Sequence, residues 1–442
     1  MTVPSTEFTD AFHAGLGRAL VYLSEHAAAP ELREAVTQGL LHNQAYDPQC
    51  EPPRTTYLLE ACARLSPPLD AAEILIPRVK HARNATARRW DVNQWVNILT
   101  ALGQQGDQRA AKALRDKYRS AARAETPLWD LLSPALVQLD GLNGLRQIVQ
   151  DQHRFTATSP DASHHPYVWE ARTLLGDDAV ESELKNLPEA LRPRGNADRA
   201  RKRKQQKASN PRPTDAYQHV HMLIHDAVQP RLHPVSMLPY QLIHRLTPPD
   251  WQRLTTDLNT EDPAKLRLLL SLFMRHGVPG ALRRLLSLVR HEDNGVAFRA
   301  LRALGHIQHE RVREFALELL RTPQRFSEEA TSLLRLNYRP GDEQLICMQL
   351  NGLQEQLKAG ERQSFLRNVA DIAEQFPDEG LLKLLTGAFP QQPCACCRER
   401  MLAVLIEHDA APPDLLAEAR LDASPEVRSL ATEALSAAGR LR

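Results

Sequence analysis

The densest grouping of reactive side chains in this chain is Pro393-Cys394-Ala395-Cys396-Cys397-Arg398. Cys394 and Cys397 have the two-residue gap used by zinc knuckles and by redox pairs. A thiol near a helix N-terminus and beside the Arg398 guanidinium would have its thiolate favoured. Cys394, Cys396 and Cys397 are also the candidate metal donors. Zinc wants four ligands, however, and the nearest further donors, Cys347 and His408, do not supply a second paired motif. No thioredoxin-like βαβ pattern surrounds the cluster, and the plain alternative is that these are packing thiols.

A second concentration of chemistry is electrostatic. Between residues 191 and 215, Arg192, Arg194, Arg199, Arg201, Lys202, Arg203, Lys204, Lys207 and Arg212 face one internal acid, Asp198. Clustered Lys and Arg displace counterions from phosphates without reading sequence, so Arg199, Arg201, Lys202, Arg203, Lys204 and Lys207 are the candidate nucleic-acid contacts. No aromatic residues interleave to stack on bases. Apolar content nearly vanishes, which equally describes a solvated tether that buries too little surface to offset the entropy of ordering.

A third group, His219, His221, His225 and His233, includes an i, i+4 pair, His221 and His225, able in principle to clamp a metal from one helix face. Val220, Leu223, Ile224, Ala227 and Val228 define the buried side of that helix, which puts the pair on the flank and far side, in water. No Glu stands between them in the arrangement zinc hydrolysis uses. The chain also lacks a G-x-S-x-G elbow, a phosphate-cradling G-x-x-x-x-G-K-[ST] loop and a G-x-G-x-x-G turn. The tryptophans, Trp90, Trp95, Trp129, Trp169 and Trp251, are scattered, and packing is their default role.

The elements that must position these groups are helices. Leu32, Ala35, Val36 and Leu40 recur at helical spacing, as do Leu58, Leu59, Cys62 and Leu65. Between them Asp47-Pro48-Gln49-Cys50-Glu51-Pro52-Pro53 cannot be helical throughout, because each proline disfavours helix at the residue before it. Val92, Trp95, Val96, Leu99 and Leu102 form one stripe, and Asp107 offers an N-cap for a helix carrying Ala110, Ala111, Leu114 and Tyr118. Pro127 opens another helix with Leu128, Leu131, Leu132, Ala135 and Leu136. A shift of 31 positions superposes Glu261-Asp262 on Glu292-Asp293, Phe273 on Leu304, Leu286 on Leu317, Leu288 on Leu319 and Val289 on Leu320. No stretch sustains period-2 alternation. The expectation is an all-α chain, a right-handed α-solenoid of helical hairpins, elongated or curved, with blocks at 1–190 and 216–442 divided by a basic linker at 191–215.

Bulk properties bound the partners. The 442 residues are 42% hydrophobic and only 5% aromatic, and 55 Lys and Arg against 54 Asp and Glu leave a formal charge of +1, so no global field draws the chain to nucleic acid or membrane. No run approaches the ~18–20 apolar residues that span a bilayer. The first ten residues show no basic region followed by an apolar stretch, and six cysteines make no disulfide framework. The expected compartment is the cytoplasm, with thiols reduced.

The run Asp422-Ala423-Ser424-Pro425-Glu426-Val427-Arg428-Ser429-Leu430-Ala431, followed by Ala434 and Leu435, resembles a HEAT-repeat helix, as does the unit at 292–321. More specifically, Leu41-His42-Asn43-Gln44-Ala45-Tyr46-Asp47-Pro48-Gln49-Cys50-Glu51, Tyr57-Leu58-Leu59, Leu336-Asn337-Tyr338-Arg339-Pro340-Gly341-Asp342 and Pro393-Cys394 to Arg398 resemble a bacterial group of HEAT-repeat proteins without assigned biochemistry. The resemblance implies a non-enzymatic scaffold with protein partners and brings no catalytic residue and no cofactor. The alternative comes from alkylpurine DNA glycosylases, also built from HEAT-like repeats: a nucleic-acid-binding or repair protein using the basic segment 192–212. A third, weaker reading is an enzyme or metal protein using the cysteine cluster.

Overall fold

A computed structural model describes residues 6–83, 89–123, 128–156, 166–187, 215–228, 240–321, 329–353 and 359–440. Among the described residues the regular structure is 24 α-helices with short 3-10 turns and no strand. The chain divides into two compact units that do not follow chain order. One comprises Met1–Arg203, Pro390–Glu399 and Pro412–Arg442; the other comprises Lys204–Phe389 and Arg400–Ala411. The expected basic linker, with Arg199, Arg201, Lys202, Arg203, Lys204 and Lys207, lies outside the described residues.

In the first unit many helices pack on the next or on the next but one. Arg89–Gln104 lies against both Gln108–Arg123 and Leu128–Asp140, which in turn meets Leu142–Thr156 and Pro166–Leu175. The apolar stripes dictate this. Val92, Trp95, Val96 and Leu99 are buried on Arg89–Gln104, and Ala110, Ala111, Leu114 and Tyr118 on Gln108–Arg123. Polar pins fix the register. Asp107 Oδ1 accepts the N–H groups of Arg109 and Ala110 at 2.8 and 3.1 Å, capping the helix that follows. Gln94 Nε2 and Trp95 Nε1 donate to the carbonyls of Gly39, Leu40 and Leu41, satisfying the C-terminal end of Pro30–Leu41.

The C-terminal pieces of this unit seat on its first helices. Ala423 N–H donates to the Gly15 carbonyl at 2.7 Å, and a Cβ added to Gly17 would come 1.9 Å from the Glu418 carbonyl oxygen. One apolar cluster runs from Phe8 to Leu187 and includes Ala423.

In the second unit the 31-residue repeat has a physical basis. Asp262 caps Pro263–Phe273 and Asp293 caps Asn294–Leu304, each accepting backbone N–H groups from the first turn. Phe273, Leu304, Leu288, Leu319, Val289 and Leu320 are all buried, and the two capped helices pack on each other. Arg267 binds the Asp293 carboxylate at 2.8 Å, so that cap is also an ion-pair partner. Further along, the Asn337 side chain bridges three backbone groups, accepting from His309 N–H and donating to the Ile307 and Leu333 carbonyls. Arg313 forks onto Asp342. The stretch 336–342 is thus a structural turn.

Candidate functional site

Two segments far apart in sequence build the chemistry of the first unit. The first is the non-helical connection between Pro30–Leu41 and Thr55–Arg64, where Pro48, Pro52 and Pro53 prevent helix. It closes on itself, as the Asp47 carbonyl accepts the N–H groups of Cys50 and Glu51 at 3.0 and 2.8 Å. The Glu51 carboxylate turns inward, accepting from Asp47 N–H at 3.3 Å and pairing with Arg54 at 2.9 Å. Arg54 also donates to the His13 carbonyl.

The second segment is 392–398. Ala395–Glu407 is a helix, and Cys394 stands immediately before it, in the position whose side chain faces free N–H groups. The Cys394 sulfur takes hydrogen bonds from the Cys397 thiol and from the backbone N–H groups of Cys397 and Cys396. The Cys394 N–H itself donates to Gln392 Oε1 at 3.3 Å. Cys396 donates its thiol to the Cys50 carbonyl, 3.4 Å away, joining the two segments.

These contacts separate Cys394 from Cys396 and Cys50 electrostatically. The Cys397 thiol, and then the backbone N–H groups, lower the Cys394 pKa from the ordinary cysteine value to about 6, against burial and the charge of Glu51. Burial, and next the Cys394 charge, pushes Cys396 up to about 11. Hydrogen bonding to Asp47 and the charge of that carboxylate raise Cys50. The thiolate is therefore favoured at Cys394 and the thiol at Cys396 and Cys50.

Arg398 plays a different part from the one its position in sequence suggests. It is fully buried and forks onto Asp422, Nε to Oδ2 at 2.7 Å and Nη2 to Oδ1 at 2.8 Å, while Nη1 donates to the Gln392 and Pro393 carbonyls at 2.8 and 3.1 Å. Its charge is spent on Asp422. Asp422 Oδ1 also accepts from Ser424 N–H at 2.9 Å, and Arg428 donates to the Asp422 carbonyl while binding Glu60 at 2.6 Å. Beneath, the buried Tyr57 hydroxyl donates to the Leu16 carbonyl at 3.0 Å. Arg398 thus positions the backbone just before Cys394 and is not the main source of the thiolate's stability.

Among the described residues no three His, Cys, Asp or Glu side chains converge as a metal cage. Cys347 and His408 belong to the second unit. His221 is exposed and pairs with Asp257 at 2.9 Å; His225 is exposed; His219 is buried with its Nδ1 2.9 Å from Arg245 Nη1. His233 lies outside the described residues. Cys50 and Glu51 were not expected at the cysteine site, and only their place in a distinctive loop marked them. Trp169 departs from the packing expectation: it is 71% exposed, whereas Trp95, Trp129 and Trp251 are buried.

No family model matches the chain, and no curated protein matches it. Among solved structures it is similar to the crystal structure of an engineered protein from the Northeast Structural Genomics Consortium, at 14% identity over 94% of this chain and 98% of that one, with a TM-score of 0.30. A likeness of that size bears on neither fold family nor function.

Proposed function

We propose that this chain is a non-enzymatic scaffold, an α-solenoid of HEAT-like hairpins that binds protein partners in a bacterial cytosol. Many helices pack on the next or the next but one and share a core, as the hairpins of repeat arrays do, and such arrays bind partners along an extended face. The observation that carries the reading is Trp169. Its helix, Pro166–Leu175, buries Tyr167 and Ala171 but holds the indole in solvent. A tryptophan left this exposed forgoes on the order of several kcal/mol of apolar burial, and interface anchors are enriched in this residue.

The test is affinity capture from nuclease-treated extract of the native host with the wild-type chain and with Trp169→Ala. The expected result is a protein partner whose retention falls about tenfold or more in the variant, as hot-spot truncation costs about 2 kcal/mol or more. Equal retention by both chains, or recovery of nucleic acid alone from untreated extract, refutes the proposal.

A further inference from the structure

We propose that the cleft between helix Arg89–Gln104 and the connection at 42–54 binds an extended, uncharged peptide segment of a partner, held by its backbone on Asn93 and Asn97. Trp90, Asn93 and Asn97 share one face of the helix, at spacings of three and four residues, and all three line this cleft. The opposite face is committed to the core through Val92, Trp95, Val96 and Leu99. Gln94 and Trp95 hold the connection in place, through the carbonyls of Gly39, Leu40 and Leu41. By contrast, the Trp90 indole N–H and the Asn93 and Asn97 amides make no hydrogen bond among the described residues, although all three side chains are half-buried. Asparagine is a poor helix former, so helix stability does not call for it at these two positions. The facing wall is built by Pro52, Pro53 and Asn43. Asn43 Oδ1 accepts from Ala45 N–H at 2.9 Å, which leaves its NH2 group as a further donor.

The lining selects its occupant by chemistry. Among the described residues its charged side chains are Glu51 and Arg54, paired with each other at 2.9 Å, so the cleft offers no net charge to a phosphate, a carboxylate or a metal ion. Arg54 Nε is buried without an acceptor among the described residues, a deficit that a carbonyl fills and a cation does not. An asparagine amide carries a donor and an acceptor, the complement of the N–H and C=O of a peptide group. Four helical residues rise about 6 Å, close to the ~6.6–6.8 Å that two residues of an extended chain span, so peptide groups two apart meet Asn93 and Asn97 in turn. The Trp90 ring, one turn earlier, gives a side chain of the same segment a flat apolar surface. The water-accessible space in the cleft is about 30 Å³, the size of two or three waters. That admits the polar groups of a chain laid along the helix and no buried sugar ring. The proposal rests on the reading of the chain as one that binds proteins, but not on Trp169, which lies on another helix.

The test screens the full-length protein against a resin-bound library of hexapeptides with acetylated N-termini and amidated C-termini. Expected is a set of uncharged sequences whose affinity falls about tenfold or more in Asn93→Ala and in Asn97→Ala, as loss of a paired backbone contact costs about that factor. Alanine is the better helix former, so both variants keep the helix, and thermal unfolding checks this. A scan of the best peptide with single backbone N-methyl groups, read on the wild-type protein, should lose binding at two positions two residues apart. No peptide retained above the level of the Asn93→Ala/Asn97→Ala double variant, selection of charged sequences, or indifference to N-methylation at every position each overturns the proposal. So does binding of cellohexaose or maltohexaose that depends on Asn93 and Asn97, which would make the site a sugar site. The N-methyl scan decides the matter even if a variant fails to fold. Failure here leaves the Trp169 capture experiment standing, and failure of that capture leaves this one standing.

Discussion

Removal of Asp422 tests the clamp on which the cysteine segment rests. Asp422→Ala deletes two charge-assisted hydrogen bonds, of 2.7 and 2.8 Å, and leaves the Arg398 guanidinium at zero exposure without its carboxylate. Arg398 keeps only the Gln392 and Pro393 carbonyls. Breaking one side of such a pair costs about 3–5 kcal/mol, because the surviving charge remains desolvated. For a unit of this size that corresponds to a fall of roughly 6–20 °C in the unfolding temperature. Arg398→Met strands the carboxylate and should cost a similar amount. The double variant removes both charges and should be less damaged than the sum of the singles by about 2–3 kcal/mol. Urea unfolding followed by tryptophan fluorescence reads this well, since Trp90, Trp95, Trp129 and Trp169 lie in the first unit and Trp251 in the second. A loss below about 1 kcal/mol in Asp422→Ala, or strict additivity in the cycle, would refute the reasoning about the buried pair.

Other perturbations reach other links. The folded Cys394 pKa, about 6, lies below the unfolded value, so the thiolate's stabilisation is fully present above the ordinary thiol pKa and is lost as pH falls through about 6. The stability gap between wild type and Cys394→Ser should therefore widen by on the order of 2–3 kcal/mol from pH 5 to pH 9, measured by denaturant midpoints, and a flat difference would contradict the assignment. Gly17→Ala should cost about 1–3 kcal/mol and raise amide exchange across 412–440, because its methyl would meet the Glu418 carbonyl at 1.9 Å; unchanged exchange would mean that contact is not made. Asp293→Ala loses both a helix cap and the Arg267 pair, and should cost about 1–2 kcal/mol by urea unfolding, with Asp262→Ala losing only the cap and costing less.

What could be read from the sequence follows the range of the physics. Asp107 was legible as a cap because a cap and the N–H groups it satisfies lie within one turn, whereas Asp262 and Asp293 were legible only as equivalent positions of a repeat. The break at 47–53 was legible because proline acts on its own neighbour, and the structure extends it to 42–54. Arg398 was misread for the complementary reason. Its nearest sequence neighbours are the cysteines, but a guanidinium at zero exposure needs a carboxylate, and only tertiary packing decides that it is Asp422, 24 residues on. The same holds for Cys50, whose carbonyl meets Cys396 across 346 residues. Helix Pro425–Arg440 shows the mixture within one element: Val427 and Ala431 pack as the periodicity implies, Leu430 and Ala434 are half-buried, and Asp422 stands before the helix. Of the four stretches that suggested a family resemblance, 336–342 is spent on a turn and Tyr57 on a buried pin. The other two, 41–51 and 393–398, meet at the cysteines. Stretches whose roles are structural account for themselves through their own backbone contacts, whereas Cys394 with its neighbouring thiol makes a polarised site that packing alone does not call for.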